Sequence, residues 1–406
     1  MKIFLSSFFI ISGIFNGVSA QNRSVNFENI PFSDLKEKAN KNNKLIFLDF
    51  SPVWCKPCKI MDKQVFTNDS VADFFNNHFI SKTITDIDTL EGKQISDKYN
   101  ITVFPTFLFF DGDSLVHQGC SYKNPKNIIE LGSNALVPAK QLYSSVNLYY
   151  KGKKDVTYTA KLLDDLENAC VYNKIQNIMD DYLAEKKDQE LYTQSAWQII
   201  KHASGTMSSS DFSSKACKFI LKNYDTLLIT RSDSEINQKI NTILIDAVAK
   251  IIQDTIIKTK EDRIIEFKNS IAQISPTNQK LFSSVVDLFF YEYPYTNSKY
   301  LAAANSGVVE KIYWNEPWVL NNCAWQFYEH VNDKAKLQKA VQWIKRSIQL
   351  DNNSTNNNTY SHLLYKLSRV KEAINIEELA VALAKKSNEP NLKDYENELE
   401  KFKQKK

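Results

Sequence analysis

At 406 residues the chain is too long for one ordinary hydrophobic core, so two or three folded units are expected. Hydrophobic residues at 43% and charged residues at 24% exclude disorder as the default state. The formal charge of +4 is spread over interleaved Lys, Glu and Asp, with no clustered basic face, which excludes nucleic acid as an expected partner.

Residues 1–20, MKIFLSSFFIISGIFNGVSA, place one lysine before an apolar run and end in the small residues Val18, Ser19 and Ala20. That is the layout of a cleaved secretory signal. A retained anchor is the other reading, but the apolar run falls short of the ~20 residues a spanning helix needs, and Gly13 and Gly17 interrupt it. Loss of Lys2 and of no acidic residue takes the mature chain from +4 to +3. No cysteine follows Ala20 directly, and no later run is apolar enough to cross a bilayer. An exported protein without an integral membrane segment is expected, periplasmic first and secreted second.

Residues 27–43 carry an amphipathic helical pattern, and the continuous apolar run of residues 44–50, KLIFLDF, reads as a buried central strand. Helical patterning resumes after Cys55 and again over residues 71–79. A strand (FISKTITDI), a helix (EGKQISDKYN), two strands joined at the turn Asp111-Gly112-Asp113, and a closing helix (NPKNIIELGSNAL) follow. This order predicts an α/β domain over residues 21–143.

Beyond residue 143 strand-like runs fade and apolar residues recur at helical spacing, as at Leu162, Leu166 and Cys170, then Ile175, Ile178 and Tyr182. Residues 144–406 therefore read as an all-α domain. Residues 320–351 and 359–386 each read as two helices, with small residues seven apart in the second: Ala340 and Ser347, then Ala373 and Ala380. That spacing resembles the tetratricopeptide repeat, in which small residues let paired helices approach closely, over about residues 318–390. Glu377 stands where that repeat has an aromatic residue.

Six cysteines gain meaning in an exported chain. Cys55 and Cys58 are two residues apart, whereas Cys120, Cys170, Cys217 and Cys323 are scattered. A zinc site needs four ligands, and neither a second close cysteine pair nor a histidine cluster is present; His78 and His117 stand singly. A structural disulfide closing so short a loop would constrain the unfolded chain little. Redox chemistry makes more use of the surroundings. If Cys55 opens a helix, the unpaired backbone N–H groups and the helix dipole favour its thiolate, Lys56 and Lys59 add positive charge, and Pro57 suits the first turn. Cys55 is then the nucleophile and Cys58 the resolving thiol. Asp49 is conspicuous as an acid inside an apolar strand. Cys120 reads as a buried, inert cysteine in preference to a third reactive thiol. Cys170, Cys217 and Cys323 read as core residues, and Trp314, Trp318, Trp325 and Trp343 as packing between helices.

FLDFSPVWCKPCK, with VFPT some fifty residues later, resembles the thioredoxin family, and MDKQVFTNDSVADFFNNHF resembles most closely its exported members, including the C-terminal domain of transmembrane disulfide reductases. The resemblance spans residues 25–137. It implies that Trp54 flanks the redox pair, that Phe104, Pro105 and Thr106 form a cis-proline loop opposite it, and that Trp54, Pro57, Phe104 and Thr106 meet substrate. It makes Asp49 the family's buried acid, able to exchange a proton with Cys58; the lysine that partners this acid is missing, with Ile84 near its place. The expectation is a thiol-disulfide oxidoreductase without cofactor or metal, acting on protein disulfides and recharged by an unidentified electron donor, its helical domain binding a protein partner. The alternative is a non-catalytic binding module that keeps the α/β domain as a scaffold.

Overall fold

The computed structural model describes residues 23–203, 214–253, 259–291 and 298–404; the signal segment expected at residues 1–20 lies outside them. The chain forms two compact units: one ends at Lys154 and takes up Asp164–Val171, and the other comprises Asp155–Leu163 and the chain from Tyr172.

In the first unit α1 (Phe32–Asn42) precedes β1 (Leu45–Phe50), and α2 (Lys56–Gln64) and α3 (Asp69–His78) lead to β2 (Phe79–Ile84). Then come α4 (Leu90–Tyr99), β3 (Thr106–Asp111), β4 (Ser114–Cys120), α5 (Pro125–Leu136) and α6 (Leu142–Tyr150). The first helix starts five residues later than its sequence pattern, because Phe27 makes a bridge to Ser81 and its neighbourhood is extended. The strands lie in the order β2-β1-β3-β4, with β1 parallel to β2 and antiparallel to β3, and β3 antiparallel to β4. Gly112 supplies the left-handed backbone of the β3–β4 turn, φ 55°.

Strand periodicity explains the two cores. Phe47, Phe107 and Phe109 project to one face and pack with Met61, Val65, Phe75, Phe79 and Ile128. Ile46, Leu48, Phe50, Leu108 and Phe110 project to the other and pack with Leu35, Ile84 and Ile95. A strand covered on both faces has no solvent side, and so β1 reads as an unbroken apolar run. Phe47 sits amid rings, 4.7 Å from Phe75 and 5.1 Å from Phe109 between centroids. Each such buried ring contributes about 1.5–3 kcal/mol of transfer free energy.

The first unit also includes the end of α7 (Val156–Asn168) and the turn that follows. Here two expectations change. Cys120 and Cys170 are neither inert thiols nor core packing residues; they are joined in a disulfide. Cysteine spacing could not show this, because four scattered cysteines allow three pairings and β4 is fifty residues from the turn after α7. Cys217 and Cys323 are buried thiols, as expected.

The second unit is helical throughout its described residues. Helices Pro317–His330 and Lys334–Leu350 pack as one antiparallel pair, and Ser354–Lys366 and Val370–Ser387 as the next. Ala340, Ser347, Ala373 and Ala380 are all fully buried. Glu377 is buried too, and is satisfied where an aromatic was expected: Asn358 Nδ2 donates to it at 2.9 Å and Ser361 Oγ at 2.5 Å. Trp343 is fully buried and Trp325 packs on His362, but Trp318 is 66% exposed and is not a packing residue. It is the second residue of its helix, directly after Pro317. No helix among the described residues is long and apolar enough to cross a membrane.

Candidate active site

The register of β1 against β3 pairs Phe50 with Thr106, so the loop leaving β1 and the loop entering β3 meet at one end of the sheet. The first loop carries Trp54 and Cys55 and the second carries Phe104 and Pro105. Their rings meet edge-on, Trp54 to Phe104, with centroids 5.4 Å apart. The Phe104–Pro105 bond is cis.

Cys55 is the N-cap of α2, and its Sγ accepts the backbone N–H of Cys58 at 3.2 Å. Pro57 occupies the first turn, where a missing N–H breaks no helical hydrogen bond. Cys55 and Cys58 form a disulfide and both are buried, while Val53 and Trp54 beside them are 66% and 64% exposed. An apolar platform thus adjoins a shielded sulfur pair. Once the bond is reduced, the same N–H and the helix dipole favour negative charge on Cys55 Sγ.

Asp49 projects to the face of the sheet that carries Phe47, beneath α2. It is 1% exposed, and among the described residues neither carboxyl oxygen has a hydrogen-bond partner. Burial holds its carboxyl well above the usual carboxylate range, and the nearby Asp62 adds to the rise. Asp62 is itself raised by burial. It lies one helical turn beyond Cys58 and is exposed to solvent, unlike its neighbour Met61. Asp62 was not singled out from the sequence, although its i,i+4 spacing from Cys58 was the available signal. Ile84 pairs with Phe50 and belongs to the opposite core, so no cation from that position reaches Asp49.

Thr106 is buried, and its hydroxyl donates to the Val103 carbonyl at 2.6 Å, which braces the loop. Ser121, just past β4, donates its N–H to the Pro105 carbonyl at 2.8 Å. The eight residues expected at the site therefore divide into a sulfur pair (Cys55, Cys58), a buried acid (Asp49), exposed flanks (Trp54, Pro57, with Phe104 half-buried) and a braced proline loop (Pro105, Thr106).

Residues 32–131 match the family described as thioredoxin-like domain. Residues 32–131 form a thioredoxin-like domain. Within it the chain is similar to the thiol:disulfide interchange protein DsbD of Campylobacter jejuni, 30% identical over 100 residues, which is 24% of this chain and 17% of that protein. It is similar also to DsbD of Haemophilus influenzae, 29% identical over 104 residues, or 23% and 18% of the two chains. The chain thus spans about a sixth of the length of the curated relatives it matches. A solution structure of a proposed disulphide-isomerase from Bacteroides thetaiotaomicron is 29% identical, covering 29% of this chain and 97% of that one with a TM-score of 0.27.

Proposed function

We propose that the thioredoxin-like domain is a thiol-disulfide oxidoreductase acting on protein disulfides. The observation that carries this reading is the Cys55–Cys58 disulfide at the start of α2, flanked by exposed Trp54 and set above the buried, unpaired Asp49. In the reducing direction the Cys55 thiolate attacks a substrate disulfide, forming one mixed disulfide and releasing one substrate thiolate. Cys58 then loses its proton and attacks Cys55 Sγ, which frees the second substrate thiol and leaves Cys55–Cys58 oxidised. Asp49, when ionised, takes the Cys58 proton; burial and a second acid raise its carboxyl and so make that carboxylate a stronger base. Two electrons pass to substrate, and an external dithiol must return them. Trp54 and Phe104 offer the apolar contact, and the Pro105 loop offers backbone to an extended substrate segment. Similarity to proteins named for thiol:disulfide interchange supports the assignment.

Export through residues 1–20, most directly to the periplasm, belongs to the same reading, since an extracytoplasmic compartment supplies protein disulfides. The helical region supplies a broad surface for a protein partner, its paired helices over about residues 318–390 repeat-like in the tetratricopeptide sense.

Insulin reduction by dithiothreitol tests the assignment. The wild type should accelerate it, Cys55→Ser should not, and Cys58→Ser should accumulate mixed disulfides that Cys55→Ser lacks. A wild-type rate no better than that of Cys55→Ser would favour the scaffold reading instead.

A further inference from the structure

The Cys120–Cys170 disulfide lies at the end of the sheet that carries the redox loop. In register, Cys120 faces Thr106, the residue after the cis proline, and the next residue, Ser121, donates its N–H to the Pro105 carbonyl. Ser121 does so from the left-handed region, φ 65°, which a serine seldom adopts. On the other side Cys170 closes α7 in the same left-handed conformation, φ 57°, its N–H bonded to the Glu167 carbonyl and that of Val171 to the Leu166 carbonyl. Gln118 Nε2 donates to the Ala169 carbonyl at 3.2 Å, and the Tyr143 hydroxyl donates to Gln118 Oε1 at 2.9 Å. Hydrogen bonds as well as the S–S bond thus hold the two ends of the disulfide together.

We propose that Cys120–Cys170 is a second, non-exchanging disulfide that positions the cis-proline loop for substrate, by fixing Cys120 and so the Ser121 N–H that holds the Pro105 carbonyl. This rests on the oxidoreductase reading above. Thiols held face to face by their surroundings re-form their bond faster than an external thiol can displace it, so the pair stays closed while Cys55–Cys58 cycles. Burial reinforces this: Cys120 is 2% exposed and only the half-buried Cys170 offers a sulfur to attack. Cys120 and Cys170 are positioning residues, and no electrons pass through them.

Two measurements on the full chain test the proposal. In a dithiothreitol titration followed by alkylation and mass mapping, Cys120–Cys170 should need a dithiol-to-disulfide ratio at least about tenfold higher than Cys55–Cys58 for half-reduction. Parallel reduction of both pairs overturns the non-exchanging role. In steady-state assays, Cys120→Ser/Cys170→Ser should raise KM for insulin about tenfold with kcat nearly unchanged, and should leave reduction of a small aromatic disulfide within about twofold of wild type. A lower melting temperature with KM for insulin unchanged means a purely structural bond and overturns the positioning role. Cys120→Val/Cys170→Ala, which keeps the site filled, serves if the serine pair does not fold. A wild type inactive on insulin sinks the oxidoreductase reading and the positioning role together, whereas an active wild type with an unchanged variant KM sinks only the latter.

Discussion

Asp49 shows how one residue can be costly to the fold and useful to the site. An acid 1% exposed, with no hydrogen-bond partner among the described residues, stays protonated beyond the usual carboxylate range, because ionising it there would strand a charge in the core. Its folded pKa lies above its unfolded value of about 3.9, so above that pH the unfolded chain binds fewer protons than the native one, and stability falls as pH rises through the folded pKa. Asp49→Asn should remove that slope and stabilise the protein on the alkaline side by about 1–3 kcal/mol, as urea unfolding across pH would show. The same substitution should slow release of the Cys58-resolved mixed disulfide by up to about 10²-fold. If the variant gains stability at full rate, Asp49 is a buried acid without a part in proton transfer.

At the scale of elements, β4 ties the sheet to the helix that follows α5. His117 on β4 is 8% exposed and its Nδ1 accepts the Leu142 N–H at 2.9 Å, at the start of α6. Burial pushes its pKa down to about 4. The unfolded chain takes up that proton near pH 6.5 and the native chain does not until about pH 4, so this contribution to stability is complete above 6.5 and is lost as pH falls between those values. The full loss is about 3 kcal/mol at most. His117→Gln, which keeps a polar acceptor without a titrating ring, should flatten stability between pH 6.5 and 4, measured as the urea midpoint against pH. An unchanged slope would assign the acid loss to other groups.

For the whole molecule, the proposed chemistry needs only residues within the thioredoxin-like domain. A chain ending after Val171 keeps the first compact unit, with both of its disulfides. It should reduce a small disulfide at the full-length rate. In a Cys58→Ser background, trapping from an exported fraction should capture a different set of proteins with the truncated chain than with the full chain. The same set from both would remove partner selection from the helical unit, and loss of small-disulfide reduction would mean that the two units are not independent.

The element order of the first unit was legible in the sequence because each element declares itself locally: the unbroken run of Leu45–Phe50 marks a strand covered on both faces, and Asp111-Gly112-Asp113 marks a hairpin. Cys55, Cys58, Trp54 and Pro105 were legible for a related reason, since short spacing and a family resemblance carry them without knowledge of distant contacts. The paired helices of residues 317–387 showed themselves in their small residues for the same local reason. Three features were decided only in three dimensions. Thr106 turned inward because the loop needed a donor for the Val103 carbonyl, Asp62 came near Asp49 because α2 lies over that face of β1, and Cys170 found Cys120 because the turn after α7 packs on β4. Each joins segments that the sequence separates, and residue spacing carries periodicity along one element but not distance between two.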